Sequence, residues 1–85
     1  MRLTEHRTLL AEILIDSGIF YLRDHGLEDK FIAGEIDPNF EEMDIDSLAT
    51  MELCIALETS WNLAVVPEDI HSLGSLQKIL DLIEA

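Results

Sequence analysis

Basic residues are nearly missing from the second half of this sequence. Of the five lysines and arginines in 85 residues, only Lys78 lies beyond position 30. It faces 12 acidic residues between Phe31 and Ala85, so this part carries −11 of a formal −13 for the whole chain. A surface of that sign repels nucleic acid and anionic membranes and draws basic partner surfaces. One cysteine, Cys54, excludes an internal disulfide. It falls in an apolar run and reads as a small buried hydrophobe rather than a reactive thiol. No stretch approaches the ~20 consecutive apolar residues that span a bilayer, so membrane insertion is not expected. Residues 1–10 contain Glu5 and His6 and no apolar run ending in a cleavage site. A secretory leader is therefore not expected either, and the chain reads as cytoplasmic. The four glycines form no phosphate-cradling loop, and neither a repeat nor a low-complexity tract is visible. His6, His25 and His71 are scattered, read as surface residues, and supply no zinc ligand set.

What remains is ordinary globular material. The hydrophobic fraction of 48% argues against disorder. A chain of this size buries only about 60% of its unfolded surface, which predicts one domain with a thin core. After Thr4, a candidate helix N-cap, residues Leu9, Leu10, Ile13, Leu14 and Ser17 recur at helical spacing. The helix either stops at Asp16-Ser17-Gly18 or continues through Phe20, Tyr21 and Asp24 to Gly26. Gly18 costs about 1 kcal/mol relative to alanine inside a helix, which does not decide between the two. Residues 26–39 read as irregular, with one short turn carrying Leu27, Phe31 and Ile32, and Asp37-Pro38-Asn39 reads as loop. Phe40 and Met43 are apolar anchors for that loop. Asp46 or Ser47 caps a helix running to about Ser60, followed by an extended Leu63–Val66. Pro67 opens a short helix to His71, Ser72 to Gly74 turn the chain, and Ser75 caps a last helix containing Leu76, Ile79, Leu80 and Ile83. The expected fold is all-α, a small bundle of three main helices plus one short helix. One domain covers 1–85, with an N-terminal helix and long loop over 1–39 and the motif loop and C-terminal helices over 40–85.

The most informative residue is Ser47, where the acidic loop Phe40-Glu41-Glu42-Met43-Asp44-Ile45-Asp46 gives way to a helix. No base or metal ligand set accompanies it. An exposed serine at a helix start, in a chain with no other chemistry of its own, reads as a point of attachment rather than a nucleophile that turns over. The unpaired backbone N–H groups and the positive dipole end at that position favour a phosphate on its hydroxyl; serine at a helix start is also a common cap, and position alone favours that plainer role.

The helix after Ser47 is apolar on two faces. Leu53, Cys54, Leu57 and Trp61 form one stripe, enough to face a core. Leu48, Met51 and Ile55 form a second, at i, i+3 and i+7, flanked by Glu52 and Glu58. In so small a protein both stripes cannot easily be enclosed, so the second reads as a docking face. The flexible, polarizable side chain of Met51 suits a surface that accepts several partners.

Asp46-Ser47-Leu48, followed by Met51-Glu52-Leu53 and Ala56-Leu57-Glu58, resembles the acyl carrier proteins. Phe40, Met43 and Ser47 look like the Phe-x-x-Leu-Gly-x-Asp-Ser pattern of carrier domains. Pro67-Glu68-Asp69-Ile70 and Leu73-Gly74-Ser75-Leu76 are similar to their short third helix and the start of their last. The likeness covers residues 40–85. It implies a non-enzymatic carrier in which Ser47 bears 4′-phosphopantetheine, installed from coenzyme A by a phosphopantetheinyl transferase, with cargo held on the arm as a thioester. It implies that Asp46, Leu48, Met51, Glu52, Ile55 and Glu58 meet an acyl-loading ligase, a ketosynthase or other acyl-processing enzymes with basic docking patches, and that the carrier is a monomer. Asp44 stands where the pattern has glycine, the stretch from Trp61 to Pro67 is one residue longer than in the plain fatty-acid type, and Val66 replaces a polar cap. The segment before Phe40 is about ten residues longer than usual and rich in Phe20, Tyr21, Phe31 and Ile32. These departures favour a specialised fatty-acid, polyketide or secondary-metabolite pathway.

Other readings fit less well. Asp44-Ile45-Asp46 has the Asp-x-Asp form of phosphotransferases, but Asn39 to Met43 is too polar for the buried strand such a site needs. Counted from Asp37, a calcium loop would require glycine where Glu42 stands and glutamate where Leu48 stands. A Ser–His pair lacks any orienting group. The alternative from another class is an unmodified acidic helical adaptor that binds a basic protein through the Leu48–Met51–Ile55 stripe.

Overall fold

The computed structural model describes residues 3–84. Its first helix, α1 (Leu3–Asp16), already contains Thr4, so the expected N-cap sits inside the first turn, where its carbonyl accepts the Thr8 hydroxyl at 2.9 Å. Leu10 and Leu14 are fully buried, with Ala11 and Ile13 beside them. The helix stops at Gly18. Ile19 N–H reaches back to the Leu14 carbonyl at 2.8 Å and Gly18 N–H to that of Ile15 at 3.0 Å, a Schellman ending. The ending needs a left-handed residue, and Gly18 supplies it at φ +82°.

The same pair of bonds recurs twice. Leu27 and Gly26 close α2 (Tyr21–Asp24), and Glu35 and Gly34 close α3 (Glu28–Ile32). The segment after α1 therefore holds two short helical turns, each stopped by glycine: α3 is the turn expected around Phe31 and Ile32, and α2 lies where a continuation of the first helix was the alternative. Each turn contributes one fully or nearly fully buried side chain, Leu22 from α2 and Phe31 from α3. Gly34 has a further duty: a Cβ there would lie 2.8 Å from the Arg7 guanidinium, so α1 and the end of α3 approach closely only because the side chain is absent.

Phe40 and Met43, expected as loop anchors, lie instead on a one-turn helix, α4 (Phe40–Met43), and both are buried. A capping box starts it: Glu42 N–H donates to Asn39 Oδ1 at 2.7 Å, and Asn39 N–H to Glu42 Oε1 at 3.2 Å. The long helix α5 (Ser47–Trp61) follows and ends at Asn62, left-handed at φ 54°. The short helix α6 (Pro67–Leu73) runs two residues beyond the expected His71, to Gly74. The last helix is α7 (Leu76–Glu84), whose Leu76, Ile79 and Leu80 are fully buried.

The result is all-α among the described residues, with α1, α5 and α7 as the long helices. Helix α1 packs on α3, α5 and α7, and α6 packs on α5. The radius of gyration is 11.5 Å. His6, expected on the surface, is buried. It sets Nδ1 against the Glu84 carboxylate and its ring edge-on to Trp61 at 5.9 Å, joining α1, α7 and the end of α5. No described helix is long and apolar enough to cross a membrane.

One long-range seam positions the loop that carries Ser47. Phe40 N–H donates to the Gly74 carbonyl at 2.9 Å, Leu76 N–H to that of Pro38 at 3.1 Å, and Asn39 pairs with Ser75 in an isolated antiparallel bridge. The first turn of α7 is met by Asp37, whose Oδ1 accepts from Gln77 N–H at 2.9 Å, while Ser75, the expected cap, takes part in the bridge.

Candidate functional site

The site is built at the junction of α4 and α5. Between them Asp44 adopts the left-handed conformation at φ 49°, ψ 51°. Asp44 thus takes the backbone shape that glycine takes most easily, at a cost of order 1–2 kcal/mol. The chain then extends through Ile45 into Asp46, the N-cap of α5. Its Oδ1 accepts from Ala49 N–H at 2.7 Å, and its carbonyl accepts both Thr50 N–H at 3.0 Å and the Thr50 hydroxyl at 2.8 Å. Of the two residues the sequence offered as cap, Asp46 does the capping. Ser47 is the first helical residue, exposed, and its hydroxyl is not spent on the cap.

Burial of its apolar face sets the rotation of the helix. Ala49, Thr50, Leu53, Cys54 and Leu57 turn inward, and Leu53 and Leu57 reach zero exposure. Trp61 is half-buried at the far end. On the outer side Leu48 is 66% exposed, Met51 53% and Ile55 59%. Glu52 and Glu58 are exposed alongside, as is Asp46. Every residue assigned to the second stripe therefore lies on one open face that begins at Ser47. The inward face is wider than the sequence stripe suggested, because Ala49 and Thr50 belong to it. Thr50 escaped notice because a polar residue breaks the apolar pattern, and its hydroxyl is satisfied within its own helix.

The other nucleophiles and bases are elsewhere. Cys54 is buried, and its thiol is pushed above its ordinary pKa, first by burial and then by the negative charges of Asp69 and Glu68. At neutral pH it stays protonated and inert. His6 lies against Trp61, about 20 Å of helix from Ser47. His25 is exposed beside Tyr21. His71 shares a cleft of ≈ 450 Å³ with Phe40, Asp44 and Ile45, and Ser47 is not part of its wall. Among the described residues no group of three or more His, Cys, Asp or Glu side chains is arranged to hold a metal ion.

Comparison with known protein families, with curated proteins and with solved structures finds no match to this chain.

Proposed function

We propose that this chain is a carrier protein, not itself an enzyme, with 4′-phosphopantetheine attached through a phosphodiester to the Ser47 hydroxyl. The observation that carries the reading is the coincidence of three features on α5: a cap filled by Asp46, an exposed serine one residue later, and an apolar stripe open to solvent from that serine onward. A serine serving only as cap would occupy the position Asp46 holds. An apolar stripe serving only the core would not leave Leu48 and Ile55 more than half exposed.

The residues present fit such a group. A phosphodiester on Ser47 would lie at the first turn of α5, where N–H groups lack intrahelical partners. The arm supplies a terminal thiol that holds acyl, aryl or aminoacyl cargo as a thioester, and tethering raises the cargo's effective concentration at a partner's active site. Leu48, Met51 and Ile55 would give brief apolar contact to the transferase and to acyl-processing enzymes, while Asp46, Glu52 and Glu58 steer their basic patches. Such an interface is small and weakens with salt. The lengthened segment before Phe40 supports assignment to a specialised pathway.

The test is direct. Incubation with coenzyme A and a promiscuous phosphopantetheinyl transferase is expected to add one phosphopantetheine, read by intact-protein mass spectrometry and mapped to Ser47. Ser47→Ala is expected to take none. A folded wild-type chain that stays unmodified, or is modified elsewhere, defeats the reading and leaves the open stripe to an unmodified acidic adaptor.

A further inference from the structure

A second apolar surface lies apart from the Leu48–Ile55 stripe. Leu63 and Val65 of the α5–α6 connection, Leu73 at the end of α6 and Leu82 of α7 line an open groove of ≈ 360 Å³. Leu82 is 38% exposed, and Val66, the next residue along from the groove wall, is 53% exposed. The connection follows the C-terminal end of α5, about 20 Å of helix from Ser47.

Val66 is also the N-cap of α6, and valine has no side-chain acceptor. Only half a capping box exists: Val66 N–H donates to Asp69 Oδ2 at 3.0 Å, while Asp69 N–H finds the Val66 backbone carbonyl at 2.9 Å. Serine, threonine, asparagine or aspartate would supply the missing acceptor, and valine is among the poorest residues at such a position. A local rule is broken here with no local gain, beside a groove whose walls are apolar. Functional surfaces are where such violations concentrate.

The charge around the groove has one dominant sign. Asp69 stands within the groove wall and Glu68 beside it in the first turn of α6. The opposing charge is Lys78, one turn before Leu82. A second copy of this chain would bring its own formal −13 to the contact, so charge disfavours self-pairing and favours a positively charged visitor.

We propose that this groove docks a basic amphipathic helix of another protein. A large apolar side chain of that helix sits among Leu63, Val65, Leu73 and Leu82, and its lysines or arginines face Glu68 and Asp69. The site is independent of Ser47 and of any group attached there, and would let the chain be held by one protein through the groove while the α5 face remains open to others.

The test uses the full chain, isotope-labelled for NMR, titrated with a synthetic helical peptide of leucine and lysine and with a counterpart in which glutamate replaces lysine. Saturable shifts centred on the amides of Leu63 to Val66, Leu73 and Leu82 are expected with the lysine peptide alone. Leu82→Asp is expected to weaken binding roughly fivefold or more. Leu82 is 38% exposed, so the same variant is expected to keep its fold by circular dichroism, and its weaker binding cannot be put down to unfolding. Ser47→Ala should bind as wild type does, whatever becomes of the carrier reading. Four results overturn the proposal: shifts centred on Leu48, Met51 and Ile55; equal binding of the glutamate peptide; undiminished binding by Leu82→Asp; or groove amides that shift with protein concentration alone, which would make a second copy the occupant.

Discussion

The carboxylate of Asp46 holds the backbone N–H of Ala49 at 2.7 Å. That bond starts α5 and spares the Ser47 hydroxyl from capping, while burial of Leu53 and Leu57 turns the helix so that Ser47 faces solvent. Asp46→Ala is expected to cost about 1 kcal/mol of stability, read as a fall in Tm, and Asp46→Asn to keep most of it, since asparagine caps as well as aspartate. Charge then separates from capping: if Asp46 also steers basic enzymes, Asp46→Asn lowers the rate of phosphopantetheine transfer at low salt with little change in Tm.

The two faces of α5 should respond oppositely to substitution. Met51→Glu is expected to stay within about 0.5 kcal/mol of wild-type stability, because Met51 is more than half exposed, while slowing turnover by the transferase. Leu53→Ala, at a site with zero exposure, is expected to cost about 2–5 kcal/mol. Chemical denaturation of both variants, beside a transfer assay, checks the division. A marked loss of stability in Met51→Glu would place the second stripe in the core.

Gly18→Ala decides how the first helix ends. Inside a continuous helix the change would stabilise by about 1 kcal/mol. At φ +82°, with no atom within 4 Å of the added carbon, it is instead expected to destabilise by about 1–2 kcal/mol through backbone strain alone. The sign of the Tm change reads the answer.

Cys54 gives stability a pH dependence on the alkaline side. Its thiol is raised in the folded state, while in the unfolded chain it returns to an ordinary value of about 8.5. The unfolded state therefore loses its proton first. The stability that the thiol contributes is complete below about pH 8.5 and is lost as pH climbs through the folded value. Cys54→Ala is expected to flatten that alkaline decline in a urea-midpoint series. A thiol reagent at neutral pH should label wild type only as fast as the protein opens.

Much of the design is legible in the residues. Helical spacing in Leu9, Leu10, Ile13 and Leu14, and in Leu76, Ile79 and Leu80, announces the buried faces of α1 and α7, because a period of 3.6 leaves few other solutions. The split of α5 into a buried and an open stripe is legible for the same reason. The turn at Phe40–Met43 was also open to reading, since Asn39 followed three residues later by Glu42 is a capping-box signature, yet Asp-Pro-Asn just before it reads more loudly as loop.

Local patterns marked the long helices, because apolar periodicity and short-range caps act over a few residues; the short turns α2, α3 and α4 are too brief to hold without packing. Three-dimensional folding decided what depends on contacts between distant parts of the chain. Asp37 rather than Ser75 meets the first turn of α7, forty residues onward. His6 leaves the surface for Trp61 and Glu84, and Gly34 makes room for Arg7. Leu63, Val65, Leu73 and Leu82, unrelated by any period, come together as one groove. A pattern along the chain can say which way a side chain faces on its own helix, but only packing brings another helix up to meet it or leaves it bare.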